Sequence, residues 1–382
     1  MAVHTLRSSA IRDLLAVTER PDVISLAGGL PAAELLPHEA IAAAADVELR
    51  DPGALQYSTT QGYAPLREWI AAESAATDDD EVIITHGSQQ ALDLVARTLV
   101  RPGETVVLAD PAYVGAIQAF TAAGADLVGV PSDGDGLRTE VLAELLRTGC
   151  RPSLVYVVPD FDNPSGSTLR AERRIQLAEL ADRYGFWMVA DEAYRSVRWA
   201  GDAGAPIPGA IRLGSFSKVL SPGLRVGWAT GPADVISSLV LLKQAADLHT
   251  STLAQRIVWR VVTSPSFMPD HLDRLRREYQ VRAQALTSCL ELELGHALCT
   301  DAPGGGMFLW ARLAAGLDGR TLLGAALDAG VAFVPGDAFA VGDDAHADRI
   351  RLSFATVAPD QAHEAACRLA RAVAVCASRR PV

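Results

Sequence analysis

The chain reads as an α/β protein. We expect a large domain with a mostly parallel, seven-stranded sheet covered by helices, a smaller α+β domain C-terminal to it, and an N-terminal arm. Three observations predict this. Between residues 82 and 230, short apolar runs alternate repeatedly with helical stretches, strand then helix. The runs are continuously apolar, as in Phe186-Trp187-Met188-Val189-Ala190, which marks strands buried on both faces of a parallel sheet. At 382 residues, the chain also exceeds what one hydrophobic core usually supports.

The elements follow in order. Residues 6–18 carry apolar Ile11, Leu14, Leu15 and Val17 and predict a short amphipathic helix. Ser25-Leu26-Ala27-Gly28-Gly29-Leu30-Pro31 predicts an extended, turn-rich segment. Strands are predicted at 82–85, 105–109, 125–130, 153–158, 186–190, 210–214 and 225–230, with helices at 87–100, 113–123, 140–149 and 170–185. A long helical stretch near 232–263 precedes a charged helix at 272–294, strands at 306–312, 331–334 and 349–354, and a last helix at 359–376. The expected division is an arm (1–40) packing with the small domain, a large domain (41–265) and a small domain (266–382).

Hydrophobic content of 49% and charge of 21% suit an ordinary globular protein. A net charge of −12 argues against a nucleic-acid partner. The five cysteines (150, 289, 299, 367 and 376) form no CxxC and are odd in number, so reduced thiols in a cytoplasmic setting are expected. No leader-like h-region opens the chain, and no apolar run reaches the ~18–20 residues of a membrane helix. No metal site is expected.

Of the 34 basic residues only Lys218 and Lys243 are lysines. Arginine supplies surface charge equally well, but it cannot supply a neutral amine. Lys218, inside Gly214-Ser215-Phe216-Ser217-Lys218, therefore suggests amine chemistry, such as a Schiff base with a carbonyl. Lys243, in Leu242-Lys243-Gln244, reads as an ordinary surface lysine. Ser215-Phe216-Ser217-Lys218 also fits the S-x-x-K of penicillin-interacting serine enzymes, but the companion K-T-G and S-D-N elements are missing.

Ligands of open α/β sheets sit beyond the carboxyl ends of strands. The first predicted strand is followed by His86-Gly87-Ser88-Gln89-Gln90 opening a helix, which is either an anion site or a plain cap. Asp110-Pro111-Ala112-Tyr113 follows the second, and Tyr113 could stack on a ring or lie in the core. Later strands lead into Asn163-Pro164 and into Asp191-Glu192-Ala193-Tyr194. An acid ending an apolar strand needs a partner, either a protonated heterocyclic nitrogen or a salt bridge. Ser215, Ser217 and Arg225 could grip a phosphate. Each element alone has a structural explanation. Together they describe a phosphorylated, nitrogen-heterocyclic aldehyde, pyridoxal 5'-phosphate.

With these motifs the chain resembles the fold-type I pyridoxal-phosphate aminotransferases over nearly its whole length. Further matches are Gln56-Tyr57-Ser58-Thr59-Thr60-Gln61-Gly62-Tyr63, Pro222-Gly223-Leu224-Arg225-Val226-Gly227-Trp228, Gly304-Gly305-Gly306-Met307-Phe308 and Arg351-Leu352-Ser353-Phe354. It is most similar to the subgroup holding aminoadipate and kynurenine aminotransferases and the aminotransferase-like half of MocR regulators. The resemblance implies ping-pong transfer of an amino group between an L-amino acid and a 2-oxo acid. It implies Lys218 as the cofactor-linking lysine and proton carrier, and Asp191 as partner of the pyridinium nitrogen. Asn163 and Tyr194 become donors to the phenolic oxygen, and Tyr113 the ring stacked on the cofactor. Gly87, Ser88, Gln89, Ser215, Ser217 and Arg225 become the phosphate cup. Tyr57 would reach the phosphate of the other subunit of a homodimer, and Arg351 would grip the substrate α-carboxylate, with Asn163 and Gly29 also touching substrate. Arg12 matches either an arginine that binds distal carboxylates or a solvated helix charge.

Asp162 stands where the family more often has Gln, and Asp191-Glu192-Ala193-Tyr194 where it often has Asp-Asp-Pro-Tyr. Neither departure falls on a position expected to carry chemistry, so they bear on substrate choice. Two alternatives stay open: a decarboxylase, lyase or oxidase on the same scaffold, and a regulatory sensor. The sensor is disfavoured by the acidic chain and by the arm beginning within the first dozen residues, which leaves no room for a winged helix.

Overall fold

The computed structural model describes residues 20, 22–74, 76–77, 79–342 and 345–378. The helix expected at 6–18, and Arg12 with it, lies outside the described residues.

The described chain opens with strand β1 (Ile24–Ser25), then helices α1 (His38–Glu48) and α2 (Ala64–Glu73). The large sheet is built from β2 (Asp80–Thr85), β3 (Thr105–Asp110), β4 (Asp126–Asp133), β5 (Gly136–Leu137), β6 (Leu154–Val157), β7 (Trp187–Asp191), β8 (Ile211–Ser215) and β9 (Gly227–Pro232). Its helices are α3 (Gly87–Leu99), α4 (Val114–Ala122), α5 (Thr139–Arg147) and α6 (Ala171–Tyr184). Strand order is β2-β9-β8-β7-β6-β3-β4-β5, parallel from β8 to β4 and antiparallel where β9 lies between β2 and β8. The sheet thus has eight strands, not the expected seven. The extra one is the two-residue β5, hairpinned onto β4 and too short to leave an apolar run in the sequence. Every residue of β6 and β8 is buried, which is why those runs are apolar throughout.

The expected helical stretch at 232–263 is two helices, α7 (Ala233–Asp247) and α8 (Thr252–Val262). The break falls at Leu248, whose backbone takes φ 66° and ψ −57°. Then come α9 (Phe267–Leu294), β10 (Leu298–Cys299), β11 (Phe308–Leu313), α10 (Gly319–Asp328), β12 (Val331–Ala332), β13 (Val334–Pro335), β14 (Arg349–Ser353) and α11 (Ala362–Ser378). The second sheet is antiparallel, in the order β10-β11-β14-β13. The segment after the N-terminus is tied to it. β1 pairs with β12, Leu26 N–H donates to the Ala332 carbonyl at 2.8 Å, and Ser353 N–H donates to the Leu26 carbonyl at 2.7 Å.

Lys243 corrects the sequence reading. It is not a surface residue: its side chain is fully buried on α7. Its ammonium donates to both oxygens of Asp247, one turn on, at 2.7 Å. A buried ammonium needs such partners, and the burial of this helix face does not show in the sequence.

Candidate active site

Register across the large sheet gathers the predicted residues on one edge. Thr85, Gly227 and Ser215 stand in a row over β2, β9 and β8, and Asp191 of β7 pairs with Leu213 of β8. Because β9 runs against β8, its start rather than its end meets this edge. That brings Arg225 beside His86, whose carbonyl accepts a hydrogen bond from Arg225 Nη2 at 3.1 Å.

Lys218 follows β8. Its Nζ donates to the Gly29 carbonyl at 2.8 Å, which brings the segment near the N-terminus into the site. The ammonium lies 5.9 Å from the centroid of the Tyr194 ring. Burial disfavours the charged amine, and the positive Arg351 adds to this, so the Lys218 pKa falls to about 8. Asp191 is buried at the end of β7 and is raised to about 6 by loss of solvent. It accepts from Ala193 N–H at 3.2 Å and from the Tyr156 hydroxyl at 3.1 Å.

Asn163 joins two parts of the site. Its Oδ1 accepts from Arg351 Nη1 at 2.7 Å, and its Nδ2 lies 3.5 Å from the Tyr194 hydroxyl. Burial holds Tyr194 well above the usual tyrosine range, so its hydroxyl keeps its proton and can donate. Arg351, on β14, is 1% exposed. Its guanidinium lies over Phe308 at 4.2 Å and Phe339 at 5.0 Å, and Nη2 donates to the Ala27 carbonyl at 2.5 Å. Among the described residues it pairs with no carboxylate, and its buried Nε has no partner. Burial lowers its pKa to about 10, still charged at neutral pH.

The remaining predicted residues divide. The Tyr113 hydroxyl donates to Gln89 Oε1 at 3.2 Å, and Gln89 Nε2 donates to the Gly115 carbonyl at 3.1 Å. Burial pushes the Tyr113 phenol up to about 12. The Ser215 hydroxyl donates to Ser217 Oγ at 2.8 Å. The N-cap His86 makes no side-chain cap bond to α3, which begins at Gly87 and carries Ser88 in its first turn. Tyr57 is 77% exposed, its ring edge-on to His249 at 5.6 Å. Asp162 is buried beside Asn163, accepts from the Ser165 hydroxyl at 2.7 Å, and is raised by burial to about 7.

Tyr156 and Phe339 were missed in the sequence, and Phe308 stood there only within a family match, with no role given. Tyr156 sits in an aliphatic strand, where a tyrosine reads as core. Its hydroxyl needs a buried acceptor, which was the available signal.

The sequence profile described as "Aminotransferase class I and II" matches residues 21–369. The chain belongs to this family. It is 42% identical to the 2-aminoadipate transaminase of Thermus thermophilus, over 96% of this chain and 94% of that one. It is 37% identical to aromatic-amino-acid aminotransferase 1 of Thermococcus litoralis, over 96% and 92%. Among solved structures it superposes on the α-aminoadipate aminotransferase of Thermus thermophilus in complex with N-(5'-phosphopyridoxyl)-L-leucine. The TM-score is 0.91 at 40% identity, covering 97% of this chain and 96% of that one. This class I/II aminotransferase works with pyridoxal phosphate and moves an amino group between an amino acid and a 2-oxo acid, by the ping-pong route general to the family.

The residues fit that cofactor. The α3 entrance lacks a side-chain cap, Gly87 takes φ +72°, and an added Cβ there would stand 2.6 Å from Arg225 Nη2. An uncapped helix N-terminus beside a guanidinium and hydroxyls suits a phosphate. A buried carboxylate, an amine with lowered pKa and an uncapped helix start lie on one sheet edge.

Among the described residues, no helix is long and apolar enough to cross a membrane.

Proposed function

We propose that Arg351 receives the α-carboxylate of the amino acid, and that Lys218 is the amine that binds the cofactor and carries the substrate proton. The observation supporting this most is the buried guanidinium of Arg351. It has no carboxylate partner among the described residues and is joined through Asn163 to the wall on which Tyr194 and Lys218 lie. A buried charge of this kind calls for an incoming anion, and a planar fork suits a carboxylate bidentately.

When bound, pyridoxal phosphate supplies an aldehyde that condenses with amines and a ring that draws electrons from the α-carbon. Gly87, Ser88, Gln89, Ser215, Ser217 and Arg225 would hold its phosphate, Asp191 its protonated ring nitrogen, and Asn163 and Tyr194 its phenolic oxygen, with Tyr113 beside the ring. Arg351 binds and orients the substrate by its carboxylate. Lys218 Nζ, with its lowered pKa, spends part of its time neutral at pH 7 and can take the α-proton. The Gly29 carbonyl keeps Nζ in place.

The relatives' names point to donors with long acidic or aromatic side chains, and we propose 2-aminoadipate and the aromatic amino acids as donor classes. The exposed Tyr57, with Leu55 and Leu49 also exposed, favours a homodimer in which Tyr57 completes the partner's site. Five free cysteines favour a cytoplasmic setting. An arm (1–40), a large domain (41–265) and a small domain (266–382) are the division we propose. Mixing the loaded enzyme with a panel of L-amino acids, then with 2-oxoglutarate or pyruvate, tests the donor classes. Turnover of aminoadipate or aromatic donors supports them, and turnover confined to short neutral donors overturns them.

A further inference from the structure

Lys243 has no part in the transfer chemistry, yet it is one of only two lysines among 34 basic residues. Its buried ammonium meets three acceptors: both Asp247 oxygens at 2.7 Å and Gln90 Oε1 at 3.1 Å. A compact ammonium donates in three directions, whereas a planar guanidinium is larger and donates in one plane. That accounts for a lysine here in a chain that otherwise uses arginine.

A buried ion pair is weak evidence for stability, so its connections matter more. Asp247 Oδ2 accepts from Gln90 Nε2 at 2.6 Å and lies 3.0 Å from His86 Nδ1. Gln90 Oε1 accepts the backbone N–H of His86 at 2.8 Å. His86 immediately precedes α3, and its carbonyl is the acceptor for Arg225. His86 is thus held through its backbone N–H on one side, with its ring packed against Asp247, and holds Arg225 with its carbonyl on the other. The chain accepts a positive φ at Leu248, directly after Asp247, where α7 ends.

We propose that Lys243 is a positioning residue for the cofactor phosphate. Through Asp247 and Gln90 it fixes His86, and with it both the entrance of α3 and Arg225. This rests on the reading of Gly87, Ser88 and Arg225 as the phosphate cup.

The test is equilibrium binding of pyridoxal phosphate and of phosphate-free pyridoxal to the cofactor-free protein. It compares the wild type with Lys243→Met, Lys243→Arg, Gln90→Leu and Arg225→Ala. Lys243→Met and Gln90→Leu should each lose roughly tenfold in affinity for pyridoxal phosphate, as expected for one charge-assisted hydrogen bond, with pyridoxal affinity unchanged. Lys243→Arg should not restore the loss. If Lys243→Met does not fold, Lys243→Arg decides, because it keeps the charge and loses the three-directional donor set. Equal losses for the two ligands, or none, overturn the proposal. If Arg225→Ala shows a phosphate-selective loss while the other variants do not, only the role of Lys243 fails. If Arg225→Ala shows none either, the cup itself is misplaced and the proposal falls with it.

Discussion

Arg351 on β14 and Asn163 in the loop after β6 stand 188 positions apart and meet through a 2.7 Å hydrogen bond from Nη1 to Oδ1. The small sheet supplies the charge and the loop after β6 aims it. Arg351→Lys keeps the charge but loses the planar fork and the bond geometry to Asn163. It is expected to raise KM for the amino donor, with kcat/KM falling roughly a hundredfold for two charge-assisted bonds lost. Pyridoxal-phosphate affinity should stay near wild type. Steady-state kinetics beside cofactor titration checks this, and a selective loss of cofactor affinity with unchanged KM would contradict it.

Asp191 gives a pH signature. Burial lifts it to about 6 in the cofactor-free protein, against about 3.9 in an unfolded chain. Between those values the folded state holds a proton that the unfolded state has lost. The stability Asp191 contributes is therefore present at low pH and lost as pH rises through about 6. The difference in unfolding free energy between wild type and Asp191→Asn should decline across that window. The Tyr156 hydroxyl lowers this pKa, so Tyr156→Phe should move the decline to higher pH. Denaturant titrations from pH 4 to 8 test both, and an unmoved midpoint in Tyr156→Phe would count against the Tyr156–Asp191 bond.

Lys218 can be read without turnover. With a pKa of about 8, its reaction with an amine-selective reagent in the cofactor-free protein should rise through pH 8. Lys243, fully buried and ion-paired, should stay largely unlabelled. Site-resolved mass spectrometry across pH reports this directly. A midpoint near 10, the ordinary lysine value, would show that Lys218 is solvated.

Gly87→Ala places a methyl 2.6 Å from Arg225 Nη2 at a residue with φ +72°. The left-handed conformation costs about 1 kcal/mol or more for a non-glycine residue, and the guanidinium must also move. A lower Tm and a loss of pyridoxal-phosphate affinity larger than that for pyridoxal are expected. Wild-type affinity for both would remove Gly87 and Arg225 from the phosphate cup.

Much of the site was legible in the sequence because its residues break apolar strands at their carboxyl ends. Asp191 after Val189-Ala190 and Lys218 after Ser215 are conspicuous for that reason. Gly29 and Arg351 became legible only through family resemblance, since their distances to Lys218 and Asn163 depend on how the second sheet docks. Tyr156 escaped because an in-strand aromatic is ordinary core. Lys243 was misread because the burial of its face of the helix, and its third acceptor Gln90 on another helix 153 positions away, depend on how the helices pack. Helices α1, α2 and α10 also went unpredicted, their apolar faces being short and rich in alanine.

The amine chemistry of Lys218 is tested most directly by a single half-reaction. Pyridoxal-phosphate-loaded enzyme is mixed with an L-amino acid and no acceptor, and products are counted per site. The expected result is about one equivalent of 2-oxo acid, pyridoxamine phosphate left on the protein, and no product from Lys218→Ala. Release of carbon dioxide or free ammonia in place of the 2-oxo acid and pyridoxamine pair, or full product from Lys218→Ala, would contradict it.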